Sequence, residues 1–142
     1  MSDEVKRFVF DTSTLVGAVL RPQSVPAQAL KLAAGAGVVV VSIETLDELT
    51  SVLNRASFDR YRDRQERSRF AQVYAQAALM IQIQQTVTDC RDPKDNKFLS
   101  LAISAGARAI VSSDDDLRVL HPFRGIPVLS PSQFLAAGQR AS

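Results

Sequence analysis

The sequence predicts an α/β fold assembled from βαβ units around a parallel sheet, and three observations carry that expectation. First, short uninterrupted apolar runs recur at Phe8–Phe10, Val38–Val41 and Ala109–Val111. Such runs, bounded by polar residues, suit strands buried on both faces. Second, the stretches between them carry apolar residues at helical spacing, the alternation that parallel sheets require. Third, two of the runs end in hydroxyls and acids, Asp11-Thr12-Ser13 and Ser112-Ser113-Asp114-Asp115-Asp116. Ligands of open α/β sheets sit beyond the carboxyl ends of the strands, where these residues fall.

Taken in order, the strand ending at Phe10 is followed by an apolar stretch, Leu15 to Leu20, which Arg21-Pro22 and Val25-Pro26 interrupt. Ala27 to Gly35 is an alanine-rich helix stopped by Gly35-Ala36-Gly37. Four valines, Val38 to Val41, make the second strand, and Glu44 to Asn54 a helix with Leu46, Leu49 and Leu53 on one face. Phe70 to Leu79 is helical, whereas Met80 to Val87 fits either a helix end or a short strand. Asp92 followed by Pro93 is a helix start, with proline at the first helical position. That helix buries Phe98, Leu99 and Leu101 to Ile103 and stops at Gly106. Ile126 to Leu129 forms a last strand, Pro131 to Ala137 a closing helix, and Gly138 to Ser142 a loose tail.

Between the second strand's helix and Phe70 lies a different texture, Arg55 to Arg69, with six arginines against Asp59, Asp63 and Glu66. It reads as a solvated helix face, because Asp63 and Arg67 are spaced to pair at i,i+4. The competing reading is a phosphate-contacting edge, with Phe58 and Tyr61 interleaved among the cations.

The totals set bounds. A chain of 142 residues suits one domain with a core that needs no staples. Its 46% hydrophobic and 23% charged content is that of a soluble globular protein. No apolar run approaches the roughly 20 residues needed to span a membrane, and the polar Met1–Arg7 does not read as a signal peptide. Cys90 is the one cysteine, so no internal disulfide forms, and a reducing cytoplasm is the simplest home. A net charge of +2 falls short of a dedicated nucleic-acid binder.

Four acids carry the chemistry. A parallel sheet puts Asp11 and Asp114 at one edge; Glu48 lies one turn into the helix after the valine strand, and Asp95 in the first turn of the helix opened by Asp92-Pro93. Each has a plainer use. Asp11 can cap the following helix, Thr45 to Glu48 matches a capping box although Ser42 is an equally good cap, and the others complement helix dipoles. Gathered at one edge, however, carboxylates repel one another unless a cation neutralises them or a pKa rises. Oxygen-only ligands suit Mg²⁺ or Mn²⁺, and His121 and Cys90 are each too isolated to make a zinc set. No nucleophile elbow, P-loop or G-x-G-x-x-G is present. Acid clusters that bind Mg²⁺ typically serve phosphoryl chemistry.

The ordered blocks VFDTS, LDELTSVL, RDPKDNKFLSLA and IVSSDDDL resemble the PIN-domain (PilT N-terminus) family, closest to its toxin components of toxin–antitoxin pairs. The resemblance runs from about Arg7 to Leu135. It implies a three-layer α/β/α sandwich with a central, mainly parallel sheet of about five strands. It further implies a metal-dependent ribonuclease, cytoplasmic, acting on RNA, held inactive by a small antitoxin and often paired as a homodimer. Carried onto this chain, it makes Asp11, Glu48, Asp95 and Asp114 the catalytic ligands of Mg²⁺ or Mn²⁺, with Asp116 in a supporting catalytic role. Ser13 and Ser112 match hydroxyls that hold the metal site or the phosphate. Two departures stand out: Ser112-Ser113 replaces the usual Thr-Gly or Ser-Gly, and Asp115 sits where a basic residue is common.

Two other readings compete. A haloacid-dehalogenase-like phosphatase also opens with a strand ending in Asp, but places a second Asp where this chain has Ser13. A non-catalytic module would keep the fold and only bind RNA or protein.

Overall fold

The computed structural model describes residues 5–141. Most of the N-terminal stretch read as lacking a signal, and Ser142, lie outside them. Five strands form one all-parallel sheet: β1 (Lys6–Phe10), β2 (Gly37–Val41), β3 (Leu79–Met80), β4 (Ala109–Val111) and β5 (Val128–Leu129), in the order β3-β2-β1-β4-β5. Among the described residues, seven α-helices connect and flank them: α1 (Thr12–Leu20), α2 (Val25–Ala36), α3 (Ile43–Leu53), α4 (Arg64–Ala77), α5 (Asn96–Ala105), α6 (Asp115–Arg118) and α7 (Pro131–Ala141). The expected α/β/α sandwich is present.

The strands are apolar throughout because both faces are buried, and consecutive residues serve opposite cores. Phe8, Phe10, Val39, Val41 and Val111 pack with Leu15, Leu49, Leu53 and Phe134 on one side. Val9, Val40 and Ile110 pack with Phe98, Leu99, Leu101 and Leu117 on the other. A one-residue slip of any central strand would exchange its two sets of contacts, so the register is tightly specified. Gly37 opens β2 where a Cβ would lie 2.1 Å from the Lys6 carbonyl oxygen, so only glycine lets the two backbones approach there.

Boundaries differ from the sequence expectation in informative places. The segment Met80–Val87 supplies only the end of a two-residue edge strand, β3, and then runs without regular structure. Asp92-Pro93 opens a single 3₁₀ turn, Pro93–Asp95, that leads into α5. The closing helix continues past Ala137 to Ala141, with Gly138 seated close against the Leu32 side chain of α2. Helix α4 begins at Arg64, six residues before the expected Phe70.

The basic stretch is corrected more substantially. Arg55 to Asp63 is not a helix face; it is a loop with one 3₁₀ turn at Ala56–Phe58. Arg67 does not pair with Asp63 but turns inward, fully buried, and donates from Nη2 to Asp59 at 2.8 Å. Its other donors reach three main-chain carbonyls, those of Leu53 (2.8 Å), Arg55 (3.1 Å) and Arg62. A guanidinium with five donors satisfies carbonyls that a tightly turning loop leaves open, and this outweighs the helical i,i+4 pairing.

Candidate metal centre

Strand order reverses at β1, whose neighbours are β2 and β4. That reversal opens a crevice at the carboxyl ends of the strands. A cleft of about 350 Å³ lies there, and Asp11, Glu48, Asp95 and Asp114 all line it.

Asp11 follows β1 directly, tied by its backbone N–H to the Val111 carbonyl of β4 at 3.1 Å. Both of its readings hold together. The carboxylate caps α1, with Oδ1 accepting from the Thr14 backbone N–H at 2.9 Å and from Ser13 Oγ at 3.3 Å. Its other oxygen, Oδ2, accepts from Ser112 Oγ. Only 2% of Asp11 is exposed. Burial raises its pKa above the ordinary carboxylate value, opposed by the hydrogen bonds from Ser112, Thr14 and Ser13.

Ser112, fully buried after β4, also accepts from the Asp114 backbone N–H at 2.9 Å. One hydroxyl therefore joins the first acid to the turn that carries the last. Ser113, which stands where the family pattern has glycine, shares a hydrogen bond with Thr14 Oγ1 at 2.9 Å. Asp114 caps α6 through the Asp116 backbone N–H at 2.8 Å.

Glu48 sits in the second turn of α3. Ser42 is the cap of that helix, and Thr45 closes the capping box, so Glu48 is free of that duty. Thr12 donates to Glu48 Oε1 and Lys97 Nζ to Oε2, the latter at 2.6 Å. Neither partner was singled out from the sequence. Thr12 reads there as a cap, although Asp11 fills that role; Lys97 lies two residues beyond Asp95, unremarkable among ordinary helix surface.

Asp95 closes the 3₁₀ turn begun by Asp92, and its Oδ2 is buried without a hydrogen-bond partner among the described residues. Its pKa is pushed up to about 7, by burial first, then by contact with the Asp114 carboxyl and the charges of Asp114, Asp92 and Asp11. The carboxylates of Asp92, Asp95 and Asp116 offer oxygens within 4.8 Å of one another. Asp116 does not line the cleft; it lies at the rim, paired with Arg91. Asp115 faces solvent, paired with Arg118.

These features fit a hard divalent cation. The donors are all oxygens, one is buried and unpartnered among the described residues, and Asp114, Asp92 and Asp11 add to the rise in the pKa of Asp95. Beyond the acids, Arg55 and Phe58 from the loop before α4 form one wall of the cleft, and Phe98 part of another.

No helix among the described residues is long and apolar enough to cross a membrane. Comparison with curated proteins gives no match. A chain in the solved structure of VapBC2 from Rickettsia felis, bound to a DNA fragment from their promoter, has a similar fold. The TM-score is 0.55 at 16% identity, over 87% of this chain and 97% of that one, a likeness of fold. The family model described as PIN domain matches residues 7–116, from β1 through the acids of the last block. The chain therefore belongs to the PIN-domain family.

Proposed function

We propose that this protein is an endoribonuclease that hydrolyses RNA phosphodiester bonds with Mg²⁺ or Mn²⁺, and that it is the toxin of a toxin–antitoxin pair. The observation that carries the reading is the convergence of four carboxylates on one cleft, with the buried Asp95 Oδ2 left without a partner. Asp11, Asp95 and Asp114 would hold the ion, with Glu48 joining directly or through water. When bound, the ion supplies charge neutralisation and Lewis acidity at the scissile phosphate.

The chain's own residues prepare the site. Ser112 and the α1 N-terminus hold Asp11 in one rotamer, and Ser112 sets the turn that presents Asp114. Thr12 fixes one oxygen of Glu48, while Lys97 neutralises the other in the absence of metal. Ser13, exposed at the mouth, stands beside Asp11 where a phosphate oxygen would pass. A phosphatase using Asp11 as nucleophile is disfavoured because Ser13 stands where the second acid would be needed and cannot act as one.

The antitoxin reading draws on the likeness of fold to a chain of VapBC2 from Rickettsia felis, solved bound to a DNA fragment from their promoter. Cytoplasmic residence and a homodimeric state belong to the same proposal. Incubation of the purified protein with single-stranded and structured RNA in Mg²⁺ or Mn²⁺ tests it. Cleavage that chelator stops, and that Asp11→Asn and Asp95→Asn abolish with unchanged circular dichroism, is the expected result. Full activity in those variants overturns it. Growth arrest on expression, relieved by co-expressing the product of the adjacent reading frame, tests the toxin role.

A further inference from the structure

We infer that Arg55 and Phe58 form a subsite for single-stranded nucleic acid beside the metal centre, the arginine taking a phosphate and the ring stacking on a base. The inference rests on the ribonuclease reading for its substrate, but the residues that carry it are outside the acid set.

Both side chains line the cleft that holds the four acids, and both come from the loop between α3 and α4. Arg55 is exposed and makes no ion pair among the described residues, although the cleft it borders is rich in carboxylates. A cation left unpaired beside an acidic cleft is available to an anion entering it. Phe58 is half-buried, its ring against the main core and against the cleft at once. An aromatic face open to a groove suits an unstacked base, whichever base it is.

The loop is not free to drift. Buried Arg67 bonds the carbonyl of Arg55 itself at 3.1 Å, with those of Leu53 and Arg62 on either side. Asp59, the residue after Phe58, accepts from the same guanidinium at 2.8 Å. Arg62 reaches across to the Val19 carbonyl of α1, the helix that begins at Asp11. The protein thus spends a fully buried arginine on fixing a loop that presents to the cleft Arg55, without an ion pair among the described residues, and Phe58, anchored on its other side by the core. Duplex RNA keeps its bases stacked and cannot use the ring, so the chemistry selects single strands.

Fluorescence anisotropy with labelled oligoribonucleotides of about 12 nucleotides, a length spanning one such groove, tests this in Ca²⁺. Wild type is expected to bind the single strand more tightly than the same sequence in a duplex. Phe58→Leu, which keeps apolar packing, should weaken single-strand binding about tenfold, and Phe58→Trp should retain it. Arg55→Gln should weaken all sequences alike and reduce the salt slope by roughly 0.7, one phosphate contact's worth for a single strand. Wild-type affinity in both Phe58→Leu and Arg55→Gln, or equal binding of duplex and single strand, overturns the inference. Cleavage assayed in parallel separates the two readings. RNA cleavage by wild type, with both variants behaving as wild type, sinks the subsite alone. Binding through Arg55 and Phe58 without metal-dependent cleavage sinks the nuclease alone.

Discussion

The hydroxyl of Ser112 donates to Oδ2 of Asp11, joining the ends of β1 and β4 across 101 residues of sequence. Because Ser112 Oγ also accepts from the Asp114 backbone N–H, the spacing between the first and last acids depends on one small side chain. Ser112→Ala removes both bonds in a fully buried place and is expected to cost about 1–3 kcal/mol of stability. With Asp11 as the proposed ligand, displacing its support should also weaken Mn²⁺ binding by roughly 10-fold or more. Urea unfolding and calorimetry measure the two effects. Unchanged metal affinity would show that Asp11 is held without Ser112.

Asp95 gives a pH prediction for the metal-free protein. Its folded pKa, about 7, lies above its ordinary value of 3.8, so between these values the folded state binds more protons than the unfolded. Stability contributed by protonated Asp95 is therefore complete below the ordinary value and is lost as pH rises toward 7. Asp95→Asn carries no such charge, so the variant's melting temperature should rise relative to wild type across that window. Thermal melts in chelator from pH 4.5 to 7.5 test this, and a constant difference between the two proteins would contradict it. Added Mn²⁺ should stabilise wild type and leave Asp95→Asn nearly unmoved.

Lys97 holds Glu48 Oε2 at 2.6 Å and so competes with any cation for that oxygen. Both side chains are partly buried, which places the pair near the upper end of what accessible ion pairs contribute, about 1 kcal/mol. Lys97→Met should therefore loosen the metal-free fold slightly while tightening Mn²⁺ binding by up to roughly fivefold. Weaker Mn²⁺ binding in this variant would mean that Lys97 positions Glu48 rather than occupying it.

Arg67 separates a structural arginine from the solvent-facing ones around it. Arg67→Met leaves three carbonyls and Asp59 without their donor and should cost about 3 kcal/mol or more. Asp63→Ala, at the position the helical spacing pairs with Arg67, should stay within roughly 0.5 kcal/mol of wild type. Denaturant midpoints decide it, and equal effects at the two positions would restore the helix-face reading.

Much of this site is legible without coordinates. Asp11 and Asp114 announce themselves because each follows an uninterrupted apolar run, and a parallel sheet brings the ends of such runs together. Glu48 and Asp95 are also legible as residues near helix starts, though the sequence alone leaves Thr45–Glu48 and Ser42 as rival caps. The burial of Ser42 and its reciprocal bonds with Thr45 settle that choice. Thr12 carries no local signal of its place in the cleft, nor Lys97 of its pairing with Glu48. Arg55 and Phe58 do carry one, because they fall in the arginine-rich, aromatic-interleaved stretch whose competing reading is a phosphate-contacting edge.

Periodicity and chain punctuation by themselves determined the α/β class, the central strands β1, β2 and β4, and the acids that close them. Those features are local: a buried strand must be apolar at every position, and its end must be polar. The tertiary structure alone decided which groups meet across the switch point, that Asp95 is left with a buried unpartnered oxygen, and that Arg67 turns inward. The reason is competition between interactions that sequence spacing cannot rank. A helical i,i+4 pair at Asp63 is worth a fraction of a kcal/mol in water, whereas three main-chain carbonyls and the carboxylate of Asp59 claim every arm of the buried guanidinium.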